Sequence, residues 1–161
     1  MEPVAPADSA DVDELAAVAE CTFPLACPPS VTAEDMASFI EANLSAARFA
    51  DYLADPNRVV FVARHDERIV GYAMLVGDDG IELSKLYVLP EHHGTGVATA
   101  LMDAALQAAS ELGGRRVWLG VNKRNQRAQR FYANHGFRVN GTRTFRVGAA
   151  VEQDYVMVRE L

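Results

Sequence analysis

The spacing of apolar residues changes several times along the chain, and each change marks a different kind of element. In "DSADVDELAAVAEC", Leu15, Val18 and Ala19 recur at helical spacing behind Asp8 or Ser9 as an N-cap. The prolines of "FPLACPPS" are expected to break that helix. "VTAEDMASFIEANL" restarts with Thr32 as N-cap and acids in the first turn, and "ARFADYLADPN" adds a short helical piece. The period then falls to two. "RVVFVARHDERIVGYAMLVGDDGIELSKLYVLP" reads as three strands with turns at "HDE" and "GDDG", short enough for antiparallel neighbours. Helical spacing returns with Val97, Leu101, Ala105, Ala108 and Leu112, and Gly113 and Gly114 stop it. "RRVWLGV" is a strand, and "NQRAQRFYANHGF" is a helix with Asn125 as cap and Gly136 past its end. "FRVNGTRTFRV" and "EQDYVMVREL" close the chain as two strands.

One part of this order constrains the fold most. Strand 81–89, helix 96–112 and strand 115–121 form a β-α-β unit, whose crossover is right-handed and whose strands are parallel. The remaining strands read as antiparallel. The expectation is a mixed sheet with one central parallel pair, in a single domain over residues 1–161.

Composition changes this picture little. Half the residues are hydrophobic and 23% are charged, as in an ordinary soluble domain. No apolar run is long enough to span a membrane, and the acidic start "MEPVAPADSADVDEL" lacks the basic and apolar regions of a signal peptide. The cytoplasm is the default expectation. Cys21 and Cys27 are the only cysteines and read as free thiols. They share no ligand-spacing motif with His92 and His93, so no metal is expected.

Charge is more informative. The net charge of −7 conceals eleven acids and one base, Arg48, in residues 1–57, against nine bases and no acid in residues 115–146. The split suggests something cationic near the acidic third and something anionic near the basic stretch. Nucleic acid is not an expected partner: the basic stretch is short, the whole chain is acidic and no reader motif accompanies it.

Candidate chemistry centres on "LYVLPEHHGTGVATALMDAAL". A strand gives way to a helix through "PEHHGTG", with two glycines in three residues. A helix N-terminus offers unpaired N–H groups and about half a positive charge. Glycines let a ligand approach and shape a concave nest of N–H groups, so the stretch suits a phosphate. It is neither a Walker motif nor a dinucleotide fingerprint, because G-K-[ST] and a third glycine are missing. A plain turn before a helix stays open on these residues alone.

Two motifs carry a family resemblance. His93-Gly94-Thr95-Gly96-Val97-Ala98 after "LYVLP" is similar to the phosphate loop [Q/R]-x-x-G-x-[G/A] of the GNAT superfamily of N-acetyltransferases. "NQRAQRFYANHGF" is similar to its later Asn, "FY", "GF" helix. The run from "RVWLGV" to "FRVG", with "DYVMV" after it, most resembles the bacterial PaiA-like polyamine acetyltransferases. His93 stands where Arg or Gln is usual, and Lys123 where that branch often has an acid. The resemblance covers the chain from residue 8 onward. It implies an α/β (α+β) GNAT fold: a mixed, mostly antiparallel sheet of six to seven strands, its central parallel pair splayed, with helices on both faces.

It also implies roles. Acetyl-CoA is the expected co-substrate, its pyrophosphate resting on the backbone N–H groups of His93, Gly94, Thr95, Gly96, Val97 and Ala98. Thr95 and Thr99 add hydroxyl donors, or Thr99 bonds its own backbone. The pantetheine arm lies along Leu86, Tyr87 and Val88 like an added strand, pairing with the backbone of Leu86 and Val88 where the parallel strands part, often at a bulge. Asn125 bonds the arm or simply caps its helix. Lys123, Arg124 and Arg127 are candidates for the ribose phosphate.

The chemistry needs a base and an acid. A primary amine has a pKa near ~10.4, so its neutral form at pH 7 is disfavoured by roughly 4 to 5 kcal/mol. Glu82, at period-2 spacing to Ser84 and Leu86, is the expected base. A thiol's pKa of ~8.5 lies below a tyrosine's ~10, so a tyrosine can hold its proton until a thiolate forms and then share it, and the resemblance puts Tyr132 in that role. The oxyanion would meet the backbone N–H of Leu86. Glu34, Asp35 and Glu41 lie where the family often walls its acceptor. A polyamine or other small cationic amine is the first expectation for that acceptor. A protein N-terminal or lysine amine stays open, as does a CoA-binding regulatory module without turnover. A homodimer is compatible with the sequence.

Overall fold

In the computed structural model of the chain, residues 3–77 and 80–161 are described. They form a seven-stranded sheet in the order β1-β2-β3-β4-β5-β7-β6. In chain order the elements are β1 (Ala5–Pro6), α1 (Val12–Ala26), α2 (Ala33–Asn43), α3 (Ala46–Ala54), β2 (Arg58–His65), β3 (Arg68–Val76) and β4 (Ile81–Val88). They continue with α4 (Val97–Glu111), β5 (Arg116–Asn122), α5 (Gln126–Asn134), β6 (Arg138–Val147) and β7 (Ala150–Glu160). Only β4 and β5 run parallel; the other neighbours are antiparallel. This is the expected mixed, mostly antiparallel sheet with one central parallel pair. The two-residue β1 was not foreseen, being too short to carry a period.

The local signals explain most boundaries. Asp8 and Asp11 form a reciprocal capping box ahead of α1. Thr32 and Ser45 cap α2 and α3, accepting from Asp35 N at 3.1 Å and Arg48 N at 3.2 Å. The β2–β3 turn places Asp66 and Glu67 at φ 51° and 67°, the two left-handed residues of a tight hairpin. The other expected turn, "GDDG", includes Asp78 and Asp79, which lie outside the described residues.

One expectation fails. Helix α1 does not break at Pro24 but continues to Ala26. Pro24 falls in the last turn, and lacking an N–H it forgoes one helical bond, to Glu20 O, near the end of the helix. Beside it, Phe23 is buried and stacked on Phe39 at 4.6 Å, which holds that turn in place. The helix ends at Cys27, before Pro28 and Pro29.

Two apolar layers sandwich the sheet. Helices α1–α3 cover one face, with Leu15, Phe49, Tyr72 and Leu44 fully buried. Helix α4 covers the other with Leu101, Met102 and Ala105, joined by half-buried Phe131 and Tyr132 of α5. Among the described residues no helix is long and apolar enough to cross a membrane.

Candidate active site

The parallel pair is joined only at its start. Ile81 pairs with Val117 and Glu82 with Trp118, after which β4 and β5 part. The cause lies on the far side of β4. Met74 pairs with Lys85 but Leu75 with Leu83, so Ser84 is an extra residue, a bulge that bends the strand. Beyond it, Leu89 N donates to Val70 O at 2.8 Å, which makes Val88–Gly71 a non-hydrogen-bonded pair. Val88 and, by alternation, Leu86 therefore turn N–H and C=O away from β3 and into the gap.

The bulge also corrects the sequence reading of β4. Strict alternation would put Glu82, Ser84 and Leu86 on one face. Instead Ile81 and Leu83 pack toward α4 before the bulge, and Leu86 and Val88 do so after it. Glu82 thus shares a face with Lys85 and Tyr87, the side covered by α1–α3, and Leu86 does not.

At the end of β4 the chain turns through Pro90–His92 and enters α4. Gly94 and Gly96 have φ of 78° and 89°, and a Cβ on either would meet nothing within 4 Å. The first helical N–H to find a carbonyl is that of Ala100, on Gly96 O at 3.0 Å; those of residues 94–99 donate to no group among the described residues. Six N–H groups are thus left unpaired among the described residues at a helix N-terminus, the kind of place where an anion can bind. His93 does not join them. Its N–H donates to Pro90 O at 3.1 Å, and its ring Nε2 meets Val88 O at 2.8 Å, closing the end of the open edge. Thr95 turns its hydroxyl back onto His92 O. Thr99 Oγ1 lies 3.4 Å from His135 Nε2 rather than on its own helix backbone.

A cavity of about 520 Å³ fills the gap between β4 and β5 and passes from one face of the sheet to the other. Leu86, Val88, His93 and Ala98 line it beside the glycine turn. Asn125 and Tyr132 line it from α5. Asn125 Oδ1 accepts from Ala128 N at 3.1 Å, so the cap leaves its amide donors uncommitted. Burial pushes the Tyr132 phenol up to about 12, and burial with the neighbouring Tyr132 raises Tyr87 above its ordinary value. Arg127 lines the cavity; Arg124 reaches Ser30 Oγ at 3.4 Å, and Lys123 packs over the Tyr155 ring at 5.2 Å.

The acids on the cavity differ from those the sequence nominated. Glu82 lines it, but Glu34, Asp35 and Glu41 do not. Glu34 and Glu41 are exposed on α2, and Asp35 accepts from Ala149 N at 3.3 Å across the β6–β7 turn. Glu152 and Asp154 of β7 are there instead. Arg143 of β6 joins them, with Nε 3.3 Å from Asp154 Oδ2 and Nη1 3.8 Å from Glu82 Oε2. Its guanidinium lies across Gly120, where any Cβ would collide with it. Burial holds the Asp154 carboxyl above its usual value, against the pull of Arg143. Cys27 also faces the cavity, its thiol pushed up to about 11 by burial and by Glu152. Asp154 had a sequence signal, an acid at a core-facing position of "DYVMV". Arg143 and Glu152 had none, because their place depends on β7 inserting between β5 and β6.

Comparison with known proteins gives this geometry a context. Residues 22–137 match the model of the Acetyltransferase (GNAT) family. An uncharacterized N-acetyltransferase of Mycobacterium tuberculosis is 68% identical over 153 residues, covering 94% of this chain and 98% of that protein. The fold is similar to a PaiA N-acetyltransferase from Thermoplasma acidophilum in complex with coenzyme A, with a TM-score of 0.86 at 19% identity over all of both chains. It is also similar to a GCN5-related N-acetyltransferase from Rhodopseudomonas palustris, with a TM-score of 0.83 at 23% identity, covering 100% of this chain and 98% of that one.

Proposed function

The chain belongs to the acetyltransferase (GNAT) family and is an N-acetyltransferase; on that premise we propose that it moves acetyl from acetyl-CoA to a small cationic primary amine, with a polyamine as first candidate, by direct attack. One observation carries this reading: the gap behind the Ser84 bulge runs from His93 and Ala98, on either side of the glycine turn, to Glu82, Glu152 and Asp154. An anionic co-substrate fits the first end, and a cationic acceptor fits the second. The motif run quoted above supports the PaiA-like branch.

The residues then divide the work. The N–H groups of residues 94–98 hold the pyrophosphate, and the gap-facing backbone of Leu86 and Val88 pairs with the pantetheine arm. Leu86 N–H receives the developing oxyanion. Glu82 accepts the amine's proton; Arg143 approaches it without hydrogen-bond contact, so its lone pairs remain available. Tyr132 keeps its proton at neutral pH and gives it to the leaving thiolate. Holding amine and thioester together in one cavity supplies much of the rate.

A panel of amines tests the reading through release of free CoA thiol and the mass of the product. Thiol release with polyamines and acetylated product is expected. CoA binding by calorimetry with no release for any amine, N-terminal peptides included, would assign the chain to a regulatory class instead.

A further inference from the structure

We propose that Lys85 is a self-acetylation site: its ε-amine, in the same cavity as Glu82 and next in the chain to Leu86, takes the acetyl group from acetyl-CoA when no acceptor amine is present. The proposal rests on the acetyl-CoA reading above.

The Ser84 bulge is what brings this amine into play. Without it, Lys85 would face α4 and the opposite core; with it, Lys85 turns to the face of Glu82 and lines the cavity. Its Nζ makes no hydrogen bond and no ion pair among the described residues. The groups packed around it are Tyr52 and Arg48 of α3, Arg58 of β2 and Glu82 of its own strand. Tyr52 lies with its ring centroid 6.0 Å from Nζ and also carries the guanidinium groups of Arg48 and Arg58. Burial lowers the amine to about 8, against the pull of Glu82 and with a push from Arg58 and Arg48. A neutral lone pair is thus accessible near neutral pH, as it is for few lysines. The chain uses lysine at only two of its fifteen Lys and Arg positions, Lys85 and Lys123. An arginine at 85 would carry charge into the same place but could not lose its proton.

The step balances within the cavity. The neutral Nζ attacks the thioester carbonyl; a C–N bond forms and the C–S bond breaks. The proton leaving nitrogen passes to Glu82, and the thiolate takes a proton from Tyr132. The products are an Nε-acetyl-Lys85 amide and free CoA. The amide removes a cation and occupies space an acceptor would use, so self-acetylation would slow transfer to other amines.

The test incubates the purified chain with acetyl-CoA and no acceptor, followed by intact mass and peptide mapping. The expected result is one acetyl group on Lys85, at a rate independent of protein concentration. That rate should rise roughly tenfold per pH unit and level off above about 8. Lys85→Arg should lose that group. Lys123 is the internal control, because reaction in free solution favours it and the N-terminus. Acetyl only on those amines, or none in a protein that gives a heat of CoA binding, overturns the proposal. Thiol release with added amines while Lys85 stays bare overturns it and leaves the transferase reading standing, whereas absence of CoA binding removes both. Mapping of the wild type decides the matter even if the variant does not fold.

Discussion

Arg143 stands between two cavity acids, its Nε 3.3 Å from Asp154 Oδ2 and its Nη1 3.8 Å from Glu82 Oε2. It is therefore hydrogen-bonded to the buried Asp154 and only loosely ion-paired with the half-buried Glu82. That difference is why Glu82, and not Asp154, is the proposed base.

That assignment predicts a pH signature. Glu82→Gln should lower kcat/KM by roughly 10²–10⁴ at neutral pH. The loss should shrink as pH approaches the amine's own pKa, where the substrate arrives neutral. Measuring kcat and KM for both proteins from about pH 6 to pH 10, at two salt concentrations, checks this. A flat ratio across the range removes Glu82 as the base.

Tyr132→Phe deletes only the hydroxyl of a residue whose ring packs against Phe131 and Phe137. Acetyl-CoA affinity should be kept, and kcat should fall by about 10²-fold or more. Single-turnover rates isolate the chemical step; an unchanged rate there excludes the phenol as the acid.

The glycine turn should tolerate one change and not another. His93→Ala loses only a ring bond to Val88 O, so calorimetry should find CoA affinity weakened by no more than about tenfold, the scale of one hydrogen bond. Gly96→Glu places a side chain at φ 89° over the open N–H groups and puts a carboxylate against phosphate. No heat of CoA binding is expected. Equal affinity in the two variants would mean that the site is not built from main chain.

Asp11 offers a stability test away from the cavity. It accepts from Asp8 N at 2.9 Å and from Arg64 Nη2 at 2.7 Å. Burial raises its pKa, but these bonds prevail and hold it below its ordinary 3.8. Its folded pKa is thus the lower one, so its contribution is present above the unfolded pKa and lost as pH falls through the folded value. Asp11→Asn should cost about 1–2 kcal/mol near pH 7, the scale of a lost cap and a charged hydrogen bond. The difference from wild type in denaturant unfolding should narrow below about pH 4. A gap constant down to pH 2 would deny the carboxylate this role.

Where local chemistry decides, the sequence sufficed. Thr32 and Asn125 cap the helices that follow them, Gly94 and Gly96 take the left-handed turn, and the strand–turn–helix of residues 81–111 leads to a β5 parallel to β4. These depend on a few neighbouring residues and on backbone sterics. Only the tertiary structure decided the rest. Pro24 stayed helical because Phe23 packs on Phe39, a residue sixteen positions away. Glu152 and Asp154 line the cavity with Glu82, and the acids of α2 do not, because β7 inserts beside β5. The face of Lys85 turned on one unpaired residue, Ser84, whose extra length against β3 is invisible to any period-two reading. A bulge is a mismatch between two strands, so it belongs to their pairing and not to either sequence alone.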